Sequence, residues 1–164
     1  MHKCILILGS NFGEKNKILK SALEAITGKI GEIVRKSSCY QSEPWGFTSS
    51  DNFINIVIEL KTQKTPEEIL MSIHEIEAGL GRMRDNRGGY QSRTIDIDIL
   101  FFDDEIIDEK NLKIPHPRLH LRSFTLIPLA EIAPDFIHPV FAKSIRELLV
   151  SCDDDSVVQL ISNF

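Results

Sequence analysis

Asp96 and Asp98 stand two residues apart in RTIDIDILFFDD, Arg93 to Asp104, a segment that otherwise reads as a buried strand. Ile95, Ile97, Ile99 and Phe101 fall on one side of a period-two pattern, and Thr94, Asp96, Asp98, Leu100 and Phe102 on the other. Carboxylates so spaced have Cα atoms roughly 6.5 to 7 Å apart, a span from which both can bridge two cations about 3.5 to 4 Å apart. Hard oxygen donors select Mg2+, and Mg2+ with few protein ligands takes phosphate oxygens for the rest of its shell. The pair predicts a metal–phosphate substrate, whereas an arbitrary Asp-x-Asp on a solvated sheet face would carry no such role.

The preceding segment, GRMRDNRGGYQSR, moves the reading toward chemistry. Arg82, Arg84, Arg87 and Arg93 lie around a Gly88-Gly89 pair. Guanidinium forks grip phosphate oxygens bidentately, and a glycine-hinged loop over residues 82–92 is expected to close over a substrate as a lid. His116 and His120 in PHPRLHLR have the i, i+4 spacing of a zinc pair, but no third ligand is near. Phosphate contact for His116 and packing for His120 fit better. His74 and Glu77 share the polar side of a helix and read as a solvated pair unless a site reaches them. Trp45 is a hydrophobic plug or part of a ligand wall. No Walker loop, GxGxxG or Ser/His/Asp arrangement is present.

The elements that must position these groups follow from the periodicity. Residues 3–9 form a continuously apolar strand, and KNKILKSALEAITGKIG a helix with Leu19, Ala22, Leu23 and Ile26 at helical spacing and Gly28 as its stop. Residues 33–42 and 52–61 read as strands, the second with Ile54, Ile56, Ile58 and Leu60 on one face. Between them EPWGFTSSD is long enough to be a functional loop. Thr65, Pro66 and Glu68 open a second helix with a capping box, and Ile69, Ile73, Ile76 and Leu80 form its stripe. The order βαββαβ predicts an α+β, ferredoxin-like core, an antiparallel sheet with both helices on one face. The opposite face then carries Phe53, Asn55, Asp96 and Asp98. A small hairpin in EIIDEKNLKIP and helices near 123–132 and 143–152 complete the chain.

Length and composition set bounds. The 164 residues, 42% hydrophobic, predict one domain over 1–164 with its own core. A formal net charge of -5 argues against a general nucleic-acid or anionic-membrane surface. Cys4, Cys39 and Cys152 are widely spaced and form neither a disulfide framework nor a zinc ribbon, which fits a cytoplasmic protein. CILIL is too short for a membrane span or signal segment.

Through LGSN (Leu8 to Asn11), EPWG, NFIN, GRMR, RTIDIDILFF, IPHPRLHLRSF and PLAEIAPD, the chain resembles the 6-hydroxymethyl-7,8-dihydropterin pyrophosphokinase family. The resemblance covers nearly the whole chain. It implies transfer of pyrophosphate from MgATP to a reduced pterin alcohol in folate biosynthesis, with AMP leaving and two Mg2+ ions assisting. It implies Asp96 and Asp98 as metal ligands and Arg82, Arg84, Arg93, His116 and Arg122 as the groups gripping pyrophosphate. It also implies Glu77 near the nucleotide, and Leu112 with Lys113 at the adenosine. For the pterin it implies Phe53 and Phe124 as stacking rings, Asn55 as the recognition amide, and backbone contacts from Ser42, Glu43, Pro44 and Trp45. Tyr90, Pro117 and Ser42 depart from residues common in relatives, and none touches the metal pair. Association with neighbouring folate enzymes is a further expectation. A nucleotide-sensing module of the same fold would not need two acids on one strand, and a palm-type nucleotidyl transferase would want a basic nucleic-acid channel.

Overall fold

The computed structural model describes residues 1–43, 52–81 and 95–162. In chain order the elements are β1 (His2–Ser10), α1 (Lys15–Lys29), β2 (Glu32–Lys36), β3 (Cys39–Ser42), β4 (Phe53–Thr62), α2 (Pro66–Gly79), β5 (Asp96–Phe102), β6 (Ile107–Asp108), β7 (Lys113–Ile114), α3 (Ser123–Ile132), α4 (Ile145–Val150) and β8 (Val158–Ser162). The main sheet runs β5-β1-β4-β3-β8, with β2 also paired to β4. Its pairings are antiparallel. With β2 and β3 counted as two segments of one strand, the order fourth, first, third, second meets the ferredoxin-like expectation.

The strand expected over 33–42 is interrupted at Ser37. Its hydroxyl accepts from the Val57 N–H at 2.9 Å, standing in for a backbone carbonyl, and both flanking segments pair with β4. Gly28 does not stop α1: the helix runs on to Lys29, and Ile30 caps it. The glycine that matters is Gly31, where a Cβ would stand 2.1 Å from the Lys61 carbonyl oxygen. The chain turns there by pressing backbone on backbone. The capping box of α2 forms as expected: Thr65 Oγ1 accepts from the Glu68 N–H at 3.2 Å, and Glu68 Oε2 from the Thr65 N–H at 2.8 Å. A cap of this kind is worth about 1 kcal/mol.

Two apolar layers enclose the sheet. Behind it, Leu19, Ala22 and Ile26 of α1 and Ile69, Ile73 and Ile76 of α2 pack on Ile54, Ile56, Ile58, Ile97 and Ile99. In front, α3 and α4 bring Leu126, Leu129, Ile145 and Leu148 onto Ile5, Val57 and Phe101. The front is therefore covered at one end, and the candidate site is confined to the other.

The facing of β5 departs from the strict alternation in one respect. Ile5 pairs with Phe101 but Leu6 pairs with Ile99, so Leu100 is an extra residue in the ladder. The bulge reverses the alternation beyond it. Phe101 joins the front layer and Phe102 the rear one, opposite to the expected assignment. β8 adds an edge strand that the sequence reading did not anticipate.

Candidate active site

Three strands meet at the open end. Asn55 of β4 is the register partner of Gly9 on β1, and Gly9 is the partner of Asp96 on β5. One step further in, Ile7 lies between Val57 and Asp98. Cross-strand partners share a face, so Asn55, Gly9 and Asp96 form one row and Asp98 follows in the next.

The Asn55 side chain is buried, 2% exposed, and its Nδ2 donates to Ser42 Oγ at 2.7 Å. Ser42 sits on β3 opposite Phe53. A Cβ at position 9 would meet Asn55 Oδ1 at 3.0 Å and the Phe53 ring at 3.4 Å. Gly9 thus lets the amide and the ring lie close against the strand. Gly9, within LGSN, is a functional residue that sequence spacing does not single out. Its one signal is a glycine at the end of an otherwise apolar strand.

Asp98 and His116 face each other across 4.0 Å between Oδ2 and Nε2, too long for a direct hydrogen bond. The bulge positions this histidine, because the Leu100 carbonyl accepts the His116 N–H at 3.0 Å. The Arg118 N–H donates to His116 Nδ1 at 3.1 Å, which assigns the neutral ring's proton to Nε2, on the Asp98 side. Burial pushes the His116 pKa down to about 4, with the Arg122 and Arg118 cations adding to the fall and Asp96 opposing it. His116 is therefore a neutral donor at the edge of the acidic pair. Asp98, His116, Leu112 and Lys113 line one cleft of about 250 Å³. Lys113 also pairs with Asp108 across the β6–β7 hairpin.

Glu77 is 3% exposed, not on a solvated helix face. Its Oε2 accepts from the backbone N–H of Ile97 at 3.3 Å. His74 is exposed and does not share that environment. Arg122 precedes α3, and its guanidinium lies 5.5 Å from the centre of the Phe124 ring. His120 packs edge-on against Phe141 at 4.6 Å, as its packing reading expected. Glu43 is exposed just beyond β3. Pro44, Trp45, Arg82, Arg84, Arg87, Tyr90 and Arg93, and with them the expected lid over 82–92, lie outside the described residues.

The donor set fits Mg2+. Asp98 is 38% exposed and Asp96 half-buried, and both are hard oxygen donors. Among the described residues no group of three or more His, Cys, Asp or Glu side chains could hold a metal by itself. A pair of carboxylates without a closed cage is what an ion shared with phosphate oxygens requires.

Comparison with known proteins assigns the family. Residues 5–134 match the family model for 7,8-dihydro-6-hydroxymethylpterin-pyrophosphokinase. A 2-amino-4-hydroxy-6-hydroxymethyldihydropteridine pyrophosphokinase of Aquifex aeolicus is 41% identical over 85% of this chain and 86% of that protein. Its counterpart in Methylorubrum extorquens is 37% identical over 96% and 98%. The fold is shared with a crystal structure of Plasmodium falciparum HPPK-DHPS, at a TM-score of 0.74 and 20% identity. That match covers 91% of this chain and 44% of the Plasmodium chain, so this chain spans less than half its length. The chain belongs to the 7,8-dihydro-6-hydroxymethylpterin-pyrophosphokinase family.

Proposed function

We propose that the family's transfer of pyrophosphate from ATP to 6-hydroxymethyl-7,8-dihydropterin takes place in this chain at the open end of the sheet. The pterin lies beside the Asn55 amide, between Phe53 and Phe124. The Asn55 amide, held in one orientation by Ser42, reads the pterin edge. ATP runs from the cleft at Leu112 and Lys113 toward Asp96 and Asp98. The row Asn55, Gly9, Asp96 is the observation that carries this reading, since it sets a heterocycle-binding amide beside a metal-binding acid.

The chain's own groups orient and neutralise. Asp96 and Asp98 would hold two Mg2+ ions, which when bound offset charge on the phosphate oxygens. Arg122 supplies fixed positive charge, and neutral His116 donates from Nε2 without demanding a proton at working pH. Glu77 fixes the strand between the two acids. Arg82, Arg84 and Arg93 are assigned to the phosphates from their sequence positions. The pterin hydroxyl attacks the β-phosphorus of ATP in line and AMP departs, so positioning and electrostatics supply the acceleration.

We extend the same reading to one pyrophosphokinase domain over residues 1–164 in the cytoplasm. Association with neighbouring folate enzymes is supported by a Pneumocystis carinii folic acid synthesis protein, of which a region like this chain is 20%. Titration with Mg2+ tests the site: Asp96→Asn and Asp98→Asn should each abolish Mg2+-dependent turnover while keeping the wild-type fold. Retained turnover in both would overturn it.

A further inference from the structure

We infer that Asp154, in the segment after α4, is a positioning residue that sets Arg122 and Phe124 in the active site through Ser123. The inference rests on the proposed placement of Arg122 and Phe124 at the substrates.

The first turn of α3 lacks a cap of its own. Its N-cap residue is Arg122, which makes no side-chain capping bond. Asp154 supplies what is missing from 31 residues away: Oδ2 accepts from the Ser123 N–H at 2.9 Å and from Ser123 Oγ at 3.0 Å. Its other oxygen, Oδ1, accepts from the Ser156 N–H at 3.0 Å and Ser156 Oγ at 2.5 Å. Although burial opposes ionisation, these four bonds hold the carboxyl below its usual range. A carboxylate at a helix N-terminus also interacts favourably with the helix dipole. Ser123 is 5% exposed and sits between the two residues assigned to the substrates. Its backbone therefore sets the directions in which Arg122 and Phe124 leave the chain.

The same segment reaches the pterin side. Two residues after Ser156 the chain enters β8, where Val158 is the register partner of Ser42, the residue that holds the Asn55 amide. Asp154 thus ties the start of α3 to the strand edge beneath the recognition amide. Asp154, Ser156 and Val158 lie beyond residue 134, where the family match ends, while the groups they hold, Ser123 and Ser42, lie within it.

Steady-state kinetics with MgATP and the reduced pterin alcohol test the role. Asp154→Ala should lower kcat/KM for the pterin by about tenfold or more, because small misplacement of orienting groups is costly in rate. Asp154→Asn, whose amide oxygen still accepts from Ser123, should restore most of the loss. Ser144→Ala, which removes the cap of α4 away from the site, should reduce thermal stability and leave kcat/KM unchanged. Arg122→Ala and Phe124→Ala report on the underlying assignment. If both lower kcat/KM while Asp154→Ala stays within about twofold of wild type, the positioning role is overturned alone. If neither changes kcat/KM, the site assignment falls and the inference with it. Should Asp154→Ala not fold, Asp154→Ser, whose hydroxyl is too short to reach the Ser123 N–H, takes its place, and an unchanged kcat/KM in that folded variant overturns the role.

Discussion

Glu77 of α2 accepts a hydrogen bond from the backbone N–H of Ile97, the residue between Asp96 and Asp98. Among the described residues β5 pairs in the main sheet with β1 alone, and this carboxylate satisfies a donor on its other edge. A helix side chain thereby holds the strand of the two proposed metal ligands in place.

Glu77→Ala should therefore both weaken the fold and slow turnover. Leaving the Ile97 N–H buried without its acceptor costs about 1 to 3 kcal/mol. Urea denaturation should show the midpoint falling, and Glu77→Gln, which keeps an acceptor oxygen, should recover most of it. An unchanged midpoint in Glu77→Ala would remove the bond's structural role.

Gly9→Ala should weaken pterin binding while leaving ATP binding near normal. The new Cβ would stand 3.0 Å from Asn55 Oδ1 and 3.4 Å from the Phe53 ring, pushing the amide and the ring out of place. Calorimetry with each ligand alone separates the two effects. Equal losses for both ligands would mean that the substitution disturbs the sheet and not the amide and the ring alone.

Asn55→Ala tests the same pocket from its polar side. Removing the amide leaves pterin donors and acceptors unpaired, a loss of roughly 1 to 3 kcal/mol in binding. ATP affinity should hold, because Asn55 lies on β4, with β1 between it and the acidic pair.

Folding stability should fall as the solution is acidified below neutral pH, with His138 as one cause. This ring is 3% exposed, and Nδ1 accepts from the N–H groups of Val140 and Phe141 at 3.1 and 3.2 Å. Burial, with His120 adding to it, pushes its pKa from 6.5 to about 4. Between those values the unfolded chain binds the proton and the folded one does not, so stability is complete above 6.5 and declines as pH falls toward 4. The loss from this group is roughly 2 kcal/mol between pH 7.5 and 5. His138→Asn, whose Oδ1 can replace Nδ1 as acceptor, should show a shallower decline in chemical denaturation at the two pH values. An identical decline would exonerate His138.

Much of this architecture was legible because its signals are local. The alternation of Ile54, Ile56, Ile58 and Leu60 assigns the rear face of β4, and the capping box at Thr65 starts α2, because both depend on residues a few positions apart. The acidic pair was legible for the same reason. The Leu100 bulge was not: two adjacent apolar residues, Leu100 and Phe101, are compatible with either face until the partner strand selects one. Glu77 looked solvated because helical spacing cannot reveal that a strand edge with an unpaired donor lies against that helix face. β8 follows an acidic run, CDDDS, and its short VQLIS sequence has no alternation of its own. Only the edge offered by β3 makes it a strand. The roles of Asp154 and Gly9 depend on partners far away in sequence, which spacing does not encode.

The measurement closest to the central claim is the identity of the nucleotide product. Wild-type protein and Asp98→Ala are incubated with MgATP and 6-hydroxymethyl-7,8-dihydropterin, and the nucleotides and pterins are resolved. The account predicts AMP in equal amount to pterin diphosphate from the wild type, and almost none from a folded Asp98→Ala. ADP as the product, or AMP formation undiminished in the variant, would contradict it.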